Sequence, residues 1–106
     1  SLSHISGATL LIARRRRSLG WEATVTGIGG RAEHVKVYYM EKPRGVEGME
    51  AIIVDDVVIE GDTLESLIDI AGKSGLVICC MYSIYGIGGS WKKRLPVLSV
   101  LYEAPV

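Results

Sequence analysis

The sequence predicts an α/β protein with an open, mostly parallel sheet flanked by helices, and three observations carry that prediction. Residues 51–58 read AIIVDDVV, an apolar run interrupted by two acids, which suits a strand buried on both faces of a parallel sheet. A helix-period stretch follows at once, with Leu64, Leu67, Ile68 and Ala71 on one face. A second apolar strand, Leu76 to Tyr82, comes directly after Gly75. This strand–helix–strand order makes a parallel pair, and its crossover is right-handed.

Size and composition agree. The chain has 106 residues, enough for one domain, and 48% apolar against 23% charged residues argues for a globular chain and against disorder. The formal net charge is zero, but residues 1–44 hold eight Lys/Arg and three Asp/Glu, whereas 45–106 hold four and nine. That asymmetry steers an anion to one lobe and a cation to the other, or supports pairing of subunits. No signal peptide is visible, and no apolar run approaches the ~20 residues that cross a bilayer. A cytoplasmic protein is expected.

Taken in order, residues 6–19 predict a helix with Leu10, Leu11, Ala13 and Leu19 inward and Gly20 closing it. Four consecutive arginines, Arg14 to Arg17, cannot share one helical face, so some remain wet. Glu22 to Thr26 predicts a short strand and Gly27 to Gly30 a turn. His34 to Met40 alternates as a strand. Residues 41–50 contain Pro43, Gly45 and Gly48 and predict a loop. After the strand at 51–58, Asp62 or Thr63 caps a helix reaching Lys73, with Glu65 and Asp69 outward at i,i+4. Val97 to Tyr102 predicts the last strand.

The acids Asp55 and Asp56 leave that strand at its carboxyl end, the edge where open α/β sheets bind ligands. A plain alternative is that an Asp here only caps the following turn. The segment VDDVVIEGDT resembles the diphosphate-sugar signature of the type I phosphoribosyltransferases, which use phosphoribosyl pyrophosphate (PRPP). The order of elements is most similar to the orotate branch. The resemblance implies a single core domain over 1–106 that lacks the usual N-terminal strand, helix and hood. It implies transfer of a 5-phosphoribosyl group from PRPP to a nucleobase, orotate by that branch, with release of pyrophosphate and with Mg2+ as cofactor.

The same resemblance implies the site. Asp55 and Asp56 face the ribose hydroxyls and meet the metal, while Ile59 to Thr63, including Glu60, Gly61 and Asp62, form the cradle of the 5′-phosphate. Ser6, Gly7, Ala8 and Thr9 look like the pyrophosphate loop, Lys42 and Arg44 grip pyrophosphate, and Tyr85 contacts the base. Glu60 and Asp62 stand where small residues are usual, and carboxylates repel a phosphate unless a cation intervenes.

Other features carry less. Neighbouring strand residues point to opposite faces, so Cys79 and Cys80 are expected to be buried free thiols without a mutual disulfide. His4 and His34 are too few and too distant for a metal site. Trp91 with Lys92, Lys93 and Arg94 makes a poor nucleic-acid footprint on a neutral chain. With little helix to cover two sheet faces, a homodimer is expected. Two other readings stand beside the transferase: a non-catalytic protein that binds PRPP or a nucleotide and regulates a partner, and a receiver-like or Rossmann-like module whose acids bind Mg2+. The absence of a GxGxxG turn argues against dinucleotides.

Overall fold

The computed structural model describes residues 9–105. Two three-stranded sheets share one helix. Strands β1 (Ala13–Arg14), β2 (Thr24–Arg31) and β3 (His34–Glu41) form an antiparallel sheet in the order β1-β3-β2. Strands β4 (Glu50–Val58), β5 (Val77–Ile87) and β6 (Leu98–Ala104) form a parallel sheet in the order β4-β5-β6. Helix α1 (Asp62–Lys73) links β4 to β5, and the single turn α2 (Trp91–Arg94) links β5 to β6.

Helix α1 is apolar on two sides because it lies between the sheets. Leu64 and Ala71 join Ile53, Val58, Met81, Trp91, Leu95 and Leu98 in the core of the parallel sheet. Ile70 joins Val25 and Met40 in a second, smaller core beneath the hairpin. Leu67 packs against both, so one helix supplies side chains to each.

The hairpin reaches α1 by way of its glycines. The expected turn at Gly27 to Gly30 is instead the middle of β2, paired residue by residue with β3 from Thr24↔Glu41 to Arg31↔His34. Gly27 and Gly29 are alternate positions and so share a face. A Cβ on Gly27 would overlap the Ser66 carbonyl, and one on Gly29 would sit 2.6 Å from the Ser66 nitrogen. Glycine here answers to a helix backbone lying against the strand, not to a bend.

Three further expectations are corrected. No helix occupies the described part of 6–19: Ala13 and Arg14 pair with Met40 and Tyr39 as a strand, and Arg14 to Arg17 are all exposed. Strand β4 is buried on one face only, since Ile53 is 8% exposed but Ile52 and Val54 are 52% and 54% exposed. Together with Tyr82, Ile84 and Leu101 they leave an apolar patch on the parallel sheet. The cysteines are not buried, Cys79 being exposed and Cys80 half-buried. Their sulfurs are 3.1 Å apart, because the β4–β5 register slips between Ala51↔Ile78 and Ile52↔Cys80 and breaks the alternation there. No helix among the described residues is long and apolar enough to cross a membrane.

Candidate functional site

At the carboxyl edge of the parallel sheet an open cleft of about 520 Å³ is bounded by three pieces of chain. Asp55, Val57 and Val58 end β4, residues 59–64 make the turn into α1, and residues 33–36 descend from the tip of the β2–β3 hairpin. The strand therefore delivers one acid, the helix its amino end, and the hairpin a partial roof.

Gly61 makes the turn possible. It holds φ +98°, a left-handed value costly for residues with a Cβ, and a Cβ there would lie 2.7 Å from Leu95 Cδ1. It also serves as N-cap of α1, so no side chain caps the helix, contrary to the expected Asp62 or Thr63 cap. The first backbone N–H groups of a helix have no intrahelical acceptor, and here no capping side chain takes them. Such a terminus favours an anion.

The two acids differ. Asp55 is half-buried and lines the cleft, whereas Asp56 is exposed and lies outside the lining. Asp56 donates its backbone N–H to Asp55 Oδ1 at 2.9 Å, and its own Oδ1 accepts the Val57 N–H at 2.8 Å. Burial pushes the Asp55 carboxyl up, outweighing the Asp56 N–H. The hydrogen bond with Asp55, followed by the Val57 N–H, holds Asp56 below the usual carboxylate range. Ser83 secures the strand end, donating its hydroxyl to the Asp56 carbonyl at 3.3 Å and the Tyr85 carbonyl at 3.0 Å.

Two of the acids around the turn, Asp62 and Glu65, are engaged rather than free. Asp62 is 8% exposed and its Oδ1 accepts from Arg94 Nη1 at 2.7 Å. Glu65 accepts from Arg94 and from the Gly30 N–H, so it does not face outward as its i,i+4 spacing with Asp69 suggested. Burial alone would raise Glu65, but the Gly30 N–H and the guanidinium overcome it and hold the carboxyl low. Asp69 likewise turns to the hairpin and accepts the Ile28 N–H at 2.9 Å. Glu60 lines the cleft with its side chain exposed.

Of the other sequence candidates, Thr63 lines the cleft, 3.4 Å from the Tyr38 hydroxyl. Lys42 and Arg44 do not line it. Lys42 borders a separate depression with Arg14 and Trp21, and Arg44 pairs with Glu22 at the surface. Tyr85 stacks on Tyr102 with ring centroids 5.7 Å apart and lies outside the cleft lining. Ser6 and Gly7 fall outside the described residues, and Thr9 is exposed.

Sequence reading missed the hairpin tip. Glu33, His34, Val35 and Lys36 line the cleft because the eight-residue strands β2 and β3 carry their turn across to α1, where Ser66 Oγ donates to the Lys36 carbonyl at 2.7 Å. The available signal was the alternation of 34–40, which extends unbroken back to a tight turn at Ala32 and Glu33.

The arrangement suits Mg2+ brought with a substrate. Among the described residues there is no group of three or more His, Cys, Asp or Glu able to hold a metal by themselves, but Asp55 brings one carboxylate into the cleft, and Mg2+ commonly takes one or two alongside phosphates and water.

The fold is similar to that of solved adenine phosphoribosyltransferases. The chain matches the adenine phosphoribosyltransferase of Rhodothermus marinus with a TM-score of 0.83 at 20% identity, covering 97% of this chain and 60% of that one. The enzyme from Thermoanaerobacter pseudethanolicus gives 0.83 at 18% identity, covering 97% and 61%. Among curated proteins, the bifunctional protein PyrR of Citrifermentans bemidjiense is 33% identical over 57 residues, 54% of this chain and 32% of that protein. No family model matches the chain. The chain thus spans about a third of the curated relative and three-fifths of these two structures.

Proposed function

We propose that the chain is a type I phosphoribosyltransferase core, binding PRPP in the cleft and transferring its 5-phosphoribosyl group to a nucleobase with loss of pyrophosphate. The observation that carries this reading is the meeting of the half-buried Asp55 carboxyl and the uncapped amino end of α1 in one cleft across Gly61. In this reading Asp55 accepts from the ribose hydroxyls and Asp56 orients it through its backbone N–H. Gly61, Asp62 and Thr63 offer backbone N–H groups to the 5′-phosphate. Asp55 would hold Mg2+ in the cleft, where the ion would supply positive charge to the pyrophosphate of the donor. The fold's part is to hold donor and base in line, which is where most of the rate enhancement of such a transfer arises.

Adenine is favoured over orotate as the base, because the structural likenesses are to adenine enzymes. Lys42 and Arg44, away from the cleft, have no role in this reading. A second reading, a protein that binds PRPP or a nucleotide and regulates a partner, is favoured by the likeness to bifunctional PyrR and by the acids Glu60 and Asp62 in the cradle.

The test is calorimetric titration with PRPP and Mg2+, followed by a pyrophosphate-release assay with adenine and with orotate. Micromolar binding, lost when Asp55 and Asp56 are both replaced by Asn, supports the site. Release with adenine selects the transferase, and binding without release selects the regulator. No binding of PRPP removes both.

A further inference from the structure

One basic side chain outside the cleft lining binds the turn that walls the cleft. Arg94 closes α2, and its side chain is 14% exposed. Its guanidinium spends every contact on the turn and first helical residues of the cradle. Nη1 donates to Asp62 Oδ1 at 2.7 Å and to the Glu60 carbonyl at 2.9 Å. Nε donates to Glu65 Oε2 at 3.3 Å, and Nη2 donates to Glu65 Oε1. Asp62 and Glu65 are three residues apart and therefore share a helix face, so one planar cation can hold both.

This geometry bears on the main chemical objection to the cradle. Carboxylates in the first turn of a helix are stabilised by its free N–H groups and compete there with any incoming anion. Asp62 makes no such cap, Gly61 being the N-cap residue, and its carboxylate is hydrogen-bonded to Arg94 instead. The bond to the Glu60 carbonyl also fixes the peptide just ahead of Gly61, and Leu95, the next residue after Arg94, packs against Gly61 itself.

We propose that Arg94 is the built-in counter-cation of the cradle, a positioning residue that neutralises and diverts the Asp62 and Glu65 carboxylates so that a phosphate monoester can occupy the amino end of α1. It rests on the reading of the cleft as a PRPP site. Arg94 itself does not touch the phosphate. It acts through the two acids, and a sequence carrying Asp at position 62 requires such a partner, where a small residue would not.

The test is titration of the full chain with ribose 5-phosphate, comparing wild type, R94Q, D62N and the double variant, with a thermal melt of each. R94Q weakens binding about tenfold or more, because the Asp62 carboxylate, which lines the cleft, then loses its counter-cation. D62N alone binds as well as wild type or better, and in the D62N background R94Q costs only about threefold, the non-additivity expected of coupled groups. A merely structural Arg94 would give the same loss in both backgrounds, and that result, or an unchanged constant for R94Q, overturns the proposal. Where R94Q does not fold, D62N decides: weaker binding than wild type overturns it. Failure of wild type to bind ribose 5-phosphate removes the underlying site as well, whereas wild-type binding indifferent to Arg94 removes only this inference.

Discussion

The backbone N–H of Gly30 donates to Glu65 Oε1 at 3.0 Å, joining an edge strand to a helix 35 positions away in the chain. It is one rung of three. Ile28 N–H donates to Asp69 at 2.9 Å, and Lys73 Nζ donates to the Thr26 carbonyl at 2.8 Å. Four helical residues rise about 6 Å and two strand residues about 6.8 Å, so side chains at every fourth helix position can meet every second strand residue. Helix α1 thereby covers the open hydrogen-bonding edge of β2, which would otherwise invite pairing with another chain.

These rungs predict acid sensitivity. The Ile28 N–H and Lys73 lower Asp69, and the Gly30 N–H and Arg94 outweigh burial to lower Glu65. A depressed folded value means the stabilisation is full above the ordinary values of 3.8 for Asp69 and 4.5 for Glu65 and is lost progressively as pH falls through the lower folded values. Amide exchange at Ile28 and Gly30 is expected to accelerate on acidification before exchange in β5 does. Glu65→Gln and Asp69→Asn each cost about 1 kcal/mol or less at neutral pH, since both pairs are partly solvated. Unchanged relative protection down to pH 3 would contradict this.

The glycine contacts predict opposite outcomes for two similar substitutions. Gly29→Ala forces a methyl into the α1 backbone and is expected to cost about 3 kcal/mol or more, with a matching fall in Tm. Gly72→Ala, inside α1 and with nothing within 4 Å of the added carbon, is expected to gain up to about 1 kcal/mol. Denaturant unfolding of both variants checks the pair.

Asp55 is expected to trade stability for binding. Burial raises its folded value above the ordinary 3.8, so ionisation above that pH costs stability that the carboxyl retained when protonated. Asp55→Asn should therefore melt at the same temperature or slightly higher at neutral pH, while PRPP binding falls by about tenfold or more through loss of the charged acceptor. A lower Tm with intact binding would reverse this assignment.

Val54 lies 54% exposed and is paired with Tyr82 on the outer side of the parallel sheet. Val54→Lys is expected to change stability by no more than about 0.5 kcal/mol and to reduce concentration-dependent association in sedimentation experiments. A loss of several degrees in Tm would mean that the patch is packed in solution.

Much of the framework was readable because local pattern and tertiary environment agreed. The β4–α1–β5 unit follows from an apolar run and an amphipathic stripe, although the cap falls on Gly61 and not on the expected Asp62 or Thr63. The reading of 34–40 as a strand held for the same reason. Where the reading departed from the structure, a distant partner decided. Glycines 27 and 29 have the composition of a turn, but they are in a strand because α1 lies against them. Glu65 and Asp69 have the spacing of solvent-facing charges, yet an edge strand supplies their donors. Residues 6–19 have the apolar pattern of a helix, but β3 pairs with Ala13 and Arg14 as a strand. At the site, Asp55 and the turn at 59–63 were legible as local sequence. The hairpin tip and Arg94 were not, since no spacing rule links residues 33–36 or 94 to residue 62.

A helix that walls two sheets has little room to slide. Shifting α1 by one turn, about 5.4 Å, would move the Ser66 backbone off its glycine seats and break all three rungs together. The hairpin tip and the residues after β5 are therefore the parts of the cleft's surroundings that substitution can alter while the helix between them stays pinned.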